Sequence, residues 1–464
     1  MTGSGLVSRS LSKVRELVAN AAHLGRETVA KDPEHIRRQL QECAEGRGGE
    51  VSTRLRAARL AETYLHLDDA QRRGFLRMIA HEFGPDPAQV ANAHDAYQAA
   101  VGTPTQWDAE ARLRAAMRSR RLRILTQFNA IPQGVKFLVD LRADLLRYLA
   151  DDPALKPLDR ELETRLSAWF DVGFLELQRI TWNSPAALLE KLVGYEAVHE
   201  IQSWQDLKNR LDSDRRCYAF FHPRMPLEPL IFVQVALLEE LADDVQRLLD
   251  IEAPLADTAK ATTAIFYSIS ATQPGLRGVS FGNFLLKRVI DDLKRDFPRL
   301  HVFATLSPIP GLARWARRHP DALAAAVTPA DAKRLAAAGV AADDFATDGV
   351  GALLDRLDGG AWAADAALAA ALQDVLLRLA ARYLLEARRD ERPTDAVARF
   401  HLGNGARVER LNWLADTSPK GFAQSWGLMV NYLYDPERIE ANVEAFASEG
   451  RIDASTAVRR LARR

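Results

Sequence analysis

Cysteine is nearly missing from this 464-residue chain: Cys43 and Cys217 are the only two, with no CxxC spacing. Two cysteines cannot staple a disulfide framework, so a reducing compartment is the simplest expectation. An excess of one charge is missing as well, because 62 Lys plus Arg meet 62 Asp plus Glu. No overall basic field points to nucleic acid, and an anionic ligand must be met by a local cluster. Long apolar runs are absent too; none approaches the roughly 18 to 20 residues of a membrane span. The ten histidines form no HExxH or comparable pair, so no metal centre is expected. The opening "MTGSGLVSRSLSKVREL" has the Ser and Arg of a transit peptide, but Glu16 arrives early and the pattern continues as an ordinary helix. No targeting segment is expected, and the final "RRLARR" is no peroxisomal tripeptide.

What is present is enough apolar material, 47% of residues, to bury real cores in two or more domains. From about residue 8 to residue 195 the pattern reads as helix almost throughout. "VKFLVDLRADLLRYL" sets Phe137, Leu138, Leu141, Leu145 and Leu149 on one stripe, and "LETRLSAWFDVGFLELQRI" repeats the device with Leu162, Leu166, Trp169, Phe170 and Leu177. Ser184 reads as an N-cap, with Pro185 at the first helical position. Near residue 215 the texture changes. "RRCYAFFHP", "PLIFVQVALLEE", "TAIFYSIS" and "HVFATL" read as strands, with the amphipathic helix "NFLLKRVIDDLKRDF" before the last of them. Strand, strand, strand, glycine loop, helix, strand implies a mixed α/β domain. An Ala- and Leu-rich stretch from about 312 to 390 reads as packed helices inserted into it, and "RVERLNWLAD" and "GLMVNYLY" complete the sheet.

Three features could carry chemistry. The loop "SATQPGLRGVSFGNFLLKR" places Gly275, Gly278 and Gly282 before a helix, where backbone amides and the helix dipole suit a pyrophosphate. It matches neither a Walker A loop nor a dinucleotide fingerprint, and a tight strand-to-helix turn explains the glycines equally well. In "HVFATLSPIPGLARW" the strand is expected to stop at Leu306, leaving Ser307 at its mouth in a path stiffened by Pro308 and Pro310. His401, in "DAVARFHLGNGARVERLNW", lies beside a glycine-relaxed turn, either at the end of a short helix or in a hairpin. An ordinary packed histidine is the competing explanation there, and again for His222 at the strand end "FFHPRMP".

Taken together, "FHPRMPLEPLIFVQVAL", "FYSISATQPGLRGVSFGNFLLKRVI", "FATLSPIPGLARW", "VARFHLGNGARVERLNWLADTSPKG" and "GLMVNYLYD" resemble malonyl-CoA decarboxylases over about residues 215 to 435. The resemblance implies a helical oligomerisation domain over 1–170, then a catalytic domain over 171–464 similar to the acyl-CoA N-acetyltransferase fold. It implies a coenzyme A pyrophosphate loop on Arg277, Gly278, Val279, Ser280, Phe281, Gly282 and Asn283, with Ser307 and His401 as catalytic residues. Asn404, Asn431 and Tyr434 follow as further substrate contacts from their places in matching motifs. Ser280 stands where some members have an acidic residue, and the loop departs from the usual acetyltransferase spacing. The family further implies malonyl-CoA as substrate, no cofactor beyond its coenzyme A, a homotetramer built as a dimer of dimers, and here a bacterial, cytoplasmic enzyme of fatty acid metabolism. His401 is expected to protonate the product enolate, and Ser307 to orient the carboxylate and hydrogen-bond to His401. Competing readings are an acyl-CoA-dependent acyltransferase on the same fold and a non-catalytic acyl-CoA sensor.

Overall fold

Asp32, Asp68 and Asp86 each accept hydrogen bonds from the first amides of a helix, so short polar residues set the helix starts in the N-terminal part of the chain. The computed structural model describes residues 32–46, 49–279, 285–340 and 349–463. They form two compact units.

The first unit comprises residues up to Leu175 together with Phe221–Pro229 and Gln273–Phe281. Among the described residues it holds helices Pro33–Glu45, Glu50–Leu65, Asp69–Glu82, Pro87–Ala100, Gln106–Ala116, Arg121–Ala130, Gly134–Tyr148 and Lys156–Trp169. The predicted stripe Phe137, Leu138, Leu141 and Leu145 is buried in its core beside Leu158 and Leu162, with Leu149 packed against it. The second stripe is shorter than its periodicity suggested. Its helix ends at Trp169, Phe170 leaves helical geometry, and the Asp171 carboxylate takes the Gly173 N–H, a local bond that competes with the helix. Leu177 lies instead in a strand.

That strand, β1 (Glu176–Ile180), opens the second unit's sheet, so the helical reading to residue 195 is interrupted there. The sheet continues with β2 (Arg215–Phe221), β3 (Pro229–Leu238), β4 (Thr263–Ala271), β5 (Val302–Thr305) and β6 (Ser307–Pro308). A small separate hairpin, β7 (Arg388–Arg389) and β8 (Arg392–Pro393), precedes β9 (Arg407–Asn412) and β10 (Met429–Leu433). The strand order is β1-β2-β3-β4-β5-β10-β6, with β9 also pairing to β10. The expected strand pair and the late completion of the sheet are both there. Helix Leu285–Asp296 buries Leu285, Leu286, Val289, Ile290 and Leu293, and the inserted helices run from Leu312 to Leu385. Helix Ala186–Tyr195 starts one residue later than expected, with Pro185 at its N-cap position, and the Ser184 hydroxyl accepts from Thr181 N–H.

The strand carrying Ser307 does not stop at Leu306. β10 pairs antiparallel with β5 at Leu433↔Ala304 and with β6 at Val430↔Ser307 and Met429↔Pro308, the same register on both sides of an interruption. Within the interruption side chains make the bonds. Tyr432 N–H donates to Thr305 Oγ1 at 3.1 Å, and Asn431 Nδ2 donates to the Thr305 carbonyl at 2.7 Å. Beside it the β9–β10 ladder shifts register between Asn431 and Tyr432. Pro308 fits because it sits at this short strand end rather than in mid-ladder.

Candidate functional site

Side chains two apart on a strand share a face, so Thr305 and Ser307 point the same way. On that face Ser307 Oγ lies 2.8 Å from Thr305 Oγ1 and 3.1 Å from His401 Nε2. His401 Nδ1 lies 2.7 Å from the Tyr434 hydroxyl. The Tyr432 ring stacks on the imidazole at 4.6 Å and 24°. Ser307, His401, Thr305 and Tyr434 are all buried, none more than 6% exposed.

The two halves of this cluster come from segments 94 residues apart. His401 rides on helix Ala396–Gly403, whose N-cap Asp395 accepts from Val397 and Ala398 N–H. The same carboxylate accepts from Gly311 N–H at 3.3 Å and from the Tyr383 hydroxyl at 3.2 Å. The Pro-Gly loop after Ser307 is therefore tied to the start of the histidine's helix. Only glycine fits at 311, since a Cβ there would lie 2.2 Å from the Tyr383 hydroxyl. At the other end Gly405 turns the chain with φ +83° against the Ile439 carbonyl, which selects the helix over the hairpin for His401.

One bond of this network has a fixed direction. Ser307 donates its hydroxyl proton to Thr305; the tautomer of His401 that matches this has Nε2–H donating to the Ser307 oxygen and Nδ1 accepting from the Tyr434 hydroxyl. Burial pushes the His401 pKa down to about 3 from its ordinary 6.5, so the ring is neutral near pH 7. Burial also holds the Tyr434 phenol well above its ordinary value, which keeps it a protonated donor. The result is a buried, uncharged line of hydrogen-bonded groups, Tyr434–His401–Ser307–Thr305.

The other expected contacts divide. Tyr434 joins the cluster, through the imidazole. Asn431 donates to the Thr305 and Ala242 carbonyls and accepts from Arg410 and Asn412, which uses all four of its amide bonds on protein. It braces the interrupted strand. Asn404 donates from Nδ2 to the Phe400 carbonyl at 2.7 Å and caps the histidine's helix. His222 is a buried turn residue: Nε2 bonds to the Trp169 carbonyl and Nδ1 to Arg224 N–H, as the plain packing explanation has it.

The predicted pyrophosphate loop begins in the first unit. Gly275 packs closely, since a Cβ there would lie 1.8 Å from the Val139 carbonyl. Arg142, almost wholly buried, donates from one nitrogen to the Gly275 and Arg277 carbonyls at 2.9 and 2.8 Å and from Nε to Asp159. The Arg277 side chain is exposed, Gly278 turns with φ +87°, and Val279 is buried. Ser280, Phe281, Gly282 and Asn283 lie outside the described residues. Among the described residues no group of three or more His, Cys, Asp or Glu side chains could hold a metal ion, and no helix is long and apolar enough to cross a membrane.

Sequence reasoning missed Thr305 and the structural role of Asp395. A threonine two positions before the singled-out serine was the available signal for the first.

Residues 173–464 match the family model described as the malonyl-CoA decarboxylase C-terminal domain, and residues 83–170 match the N-terminal domain of the same name. Mitochondrial malonyl-CoA decarboxylase of Anser anser anser is 37% identical over 418 residues, covering 87% of this chain and 82% of the relative. The Rattus norvegicus enzyme is 38% identical, covering 83% and 80%. The crystal structure of malonyl-CoA decarboxylase from Rhodopseudomonas palustris is similar with a TM-score of 0.82 at 42% identity, covering 92% of this chain and 99% of that one. The Agrobacterium vitis structure gives 0.80 at 42%, over the same shares.

Proposed function

The chain belongs to the malonyl-CoA decarboxylase family, carbon–carbon lyases that turn malonyl-CoA into acetyl-CoA and CO2, and we propose that here His401 protonates the enolate carbon while the Ser307 oxygen holds the imidazole in place; the expected hold of Ser307 on the malonyl carboxylate is not carried forward, because its one proton goes to Thr305 and a carboxylate only accepts. Loss of CO2 leaves the bonding pair on the α-carbon, delocalised into the thioester as an enolate. The thioester is its own electron sink, so the proposed reaction needs no cofactor beyond the substrate's coenzyme A. One proton must then reach carbon, and a positioned acid contributes on the order of 100- to 10,000-fold.

The observation that carries this reading is the buried line Tyr434–His401–Ser307, with Nε2 3.1 Å from the serine oxygen and Nδ1 2.7 Å from the phenol. A neutral imidazole suffices, because an enolate carbon is a far stronger base than the imidazole nitrogen that gives up the proton. As Nε2–H is transferred, the Tyr434 O–H at Nδ1 holds the negative charge left on the ring. One solvent proton per turnover restores the pair, which is the proton that malonyl-CoA decarboxylation consumes. Ser307 forms no acyl intermediate, since the thioester survives the reaction.

The pyrophosphate is assigned to the loop from Arg277, Gly278 and Val279 onward; an exposed cation beside a left-handed glycine supports this. Assembly as a tetramer through the helical domain is supported by helices Pro87–Ala100 and Gln106–Ala116, which leave Val101, Trp107 and Met117 exposed. A cytoplasmic role in fatty acid metabolism rests on the resemblance to bacterial relatives.

Purified protein given malonyl-CoA alone should release acetyl-CoA and CO2. His401→Asn should lower kcat at least a hundredfold with acyl-CoA binding retained, and near-normal turnover would sink the assignment. An acyl adduct trapped on Ser307 would show the noncovalent scheme to be wrong.

A further inference from the structure

We propose that Thr305 is a positioning residue that fixes the tautomer of His401 by claiming the hydroxyl proton of Ser307. The inference rests on the reading of Ser307 and His401 above and deepens it. A serine hydroxyl beside an imidazole nitrogen has two ways to bond: it donates to a bare Nε2, or it accepts from Nε2–H. Which one holds decides whether the neutral ring offers a proton toward Ser307.

Thr305 removes the choice. Its hydroxyl oxygen lies 2.8 Å from Ser307 Oγ, in a geometry where Ser307 donates. It also accepts the Tyr432 N–H at 3.1 Å, in the place where a ladder bond would otherwise run. The fully buried Thr305 side chain is thereby held from two directions. With its proton committed to Thr305, Ser307 turns lone pairs to His401, and Nε2–H is the matching partner. Nδ1 is then the acceptor for Tyr434. The interruption of the strand thus has a chemical consequence: it frees the Thr305 hydroxyl environment for Tyr432 and Ser307 together.

Thr305→Val keeps the shape and removes the acceptor, whereas Thr305→Ser keeps it. Thr305→Val should lower kcat about ten- to thirtyfold, the scale of one lost buried hydrogen bond, with KM for malonyl-CoA within about twofold. Thr305→Ser should recover at least half of normal turnover. In ¹⁵N-histidine-labelled protein, the His401 signals, identified by their loss in His401→Asn, should show Nε2 protonated in the parent and in Thr305→Ser. In Thr305→Val the proton should shift wholly or partly to Nδ1. Added to Ser307→Ala, the valine substitution should lower kcat no further.

Unchanged ring signals and turnover in Thr305→Val would overturn the proposal. So would an equal loss in Thr305→Ser, or an undiminished valine effect in the Ser307→Ala background. Failure of the underlying reading looks different: Ser307→Ala itself would then turn over normally.

Discussion

Replacing Tyr434 with phenylalanine separates two roles that its motif position alone could not. The ring would still pack edge-on to Phe266 at 6.3 Å and to His401 at 6.0 Å, so the change is confined to one hydroxyl. That hydroxyl donates at 2.7 Å to Nδ1 of a wholly buried imidazole. In the resting enzyme both partners are neutral, and such a bond is worth about 1 kcal/mol net. In the proposed step, where Nε2–H goes to carbon, the ring becomes an anion and the same bond becomes charge-assisted, roughly twice as strong. Leaving that buried nitrogen without a donor costs about 1 to 3 kcal/mol in the transition state, which converts to about a 5- to 150-fold fall in kcat. KM should hardly move, because the bond exists before and after substrate binds. The assay is steady-state acetyl-CoA release over a range of malonyl-CoA concentrations. A raised KM with unchanged kcat would refute the reasoning and return Tyr434 to the role of a substrate contact.

Two other consequences can be measured. Arg142→Lys keeps the charge but loses the fork that holds the Gly275 and Arg277 carbonyls; the expected result is about a tenfold rise in KM for malonyl-CoA with kcat within about twofold, and a fall in kcat at constant KM would contradict it. His401 also sets a pH dependence of stability. Its folded pKa, about 3, lies below its ordinary 6.5, so between those values only the unfolded chain binds the proton. That contribution is harmless above about pH 6.5 and lowers stability by about 1.4 kcal/mol per pH unit as pH falls below it. Urea unfolding at pH 6.5, 5.5 and 4.5 should show a shallower loss for His401→Gln than for the parent, and parallel slopes would disprove the burial effect.

Periodicity made most of the fold legible, and its failures have local causes. The stripe Leu162, Leu166, Trp169, Phe170 and Leu177 keeps helical spacing through a point where the backbone turns away. Apolar spacing reports which residues want burial, but the Asp171 side chain competes for the chain's own amides and ends the helix at Trp169. β1 then takes Leu177 into a sheet. Strand pairing is a long-range property, and five residues with only Ile180 buried leave little alternating signal. The glycine loop had two meanings of equal standing from sequence. Gly275 resolves to packing and Gly278 to a left-handed turn, a division that depends on a helix over a hundred residues earlier in the chain.

At the site, sequence gave up its members one at a time and withheld their relation. Ser307 was visible through the prolines that follow it, and His401 through the glycines that follow it. Nothing in either stretch says that they meet. Their approach depends on Asp395, which caps one segment while accepting the Gly311 amide of the other, and a carboxylate before a helix reads from sequence only as a cap. Thr305 was hidden for a related reason. A threonine in a strand is ordinary β-propensity until its partner strand is known, and here the partner's Tyr432 amide bonds the hydroxyl at the one place where the ladder lapses. A residue can act on chemistry by taking a proton's alternative partner away, and that role leaves no motif, because it consists of geometry alone. The stiffness of "SPIPG" acquires its meaning from this: the loop need not place Ser307 by itself, since Thr305 on one side and Asp395 through Gly311 on the other hold the serine oxygen at 3.1 Å from Nε2.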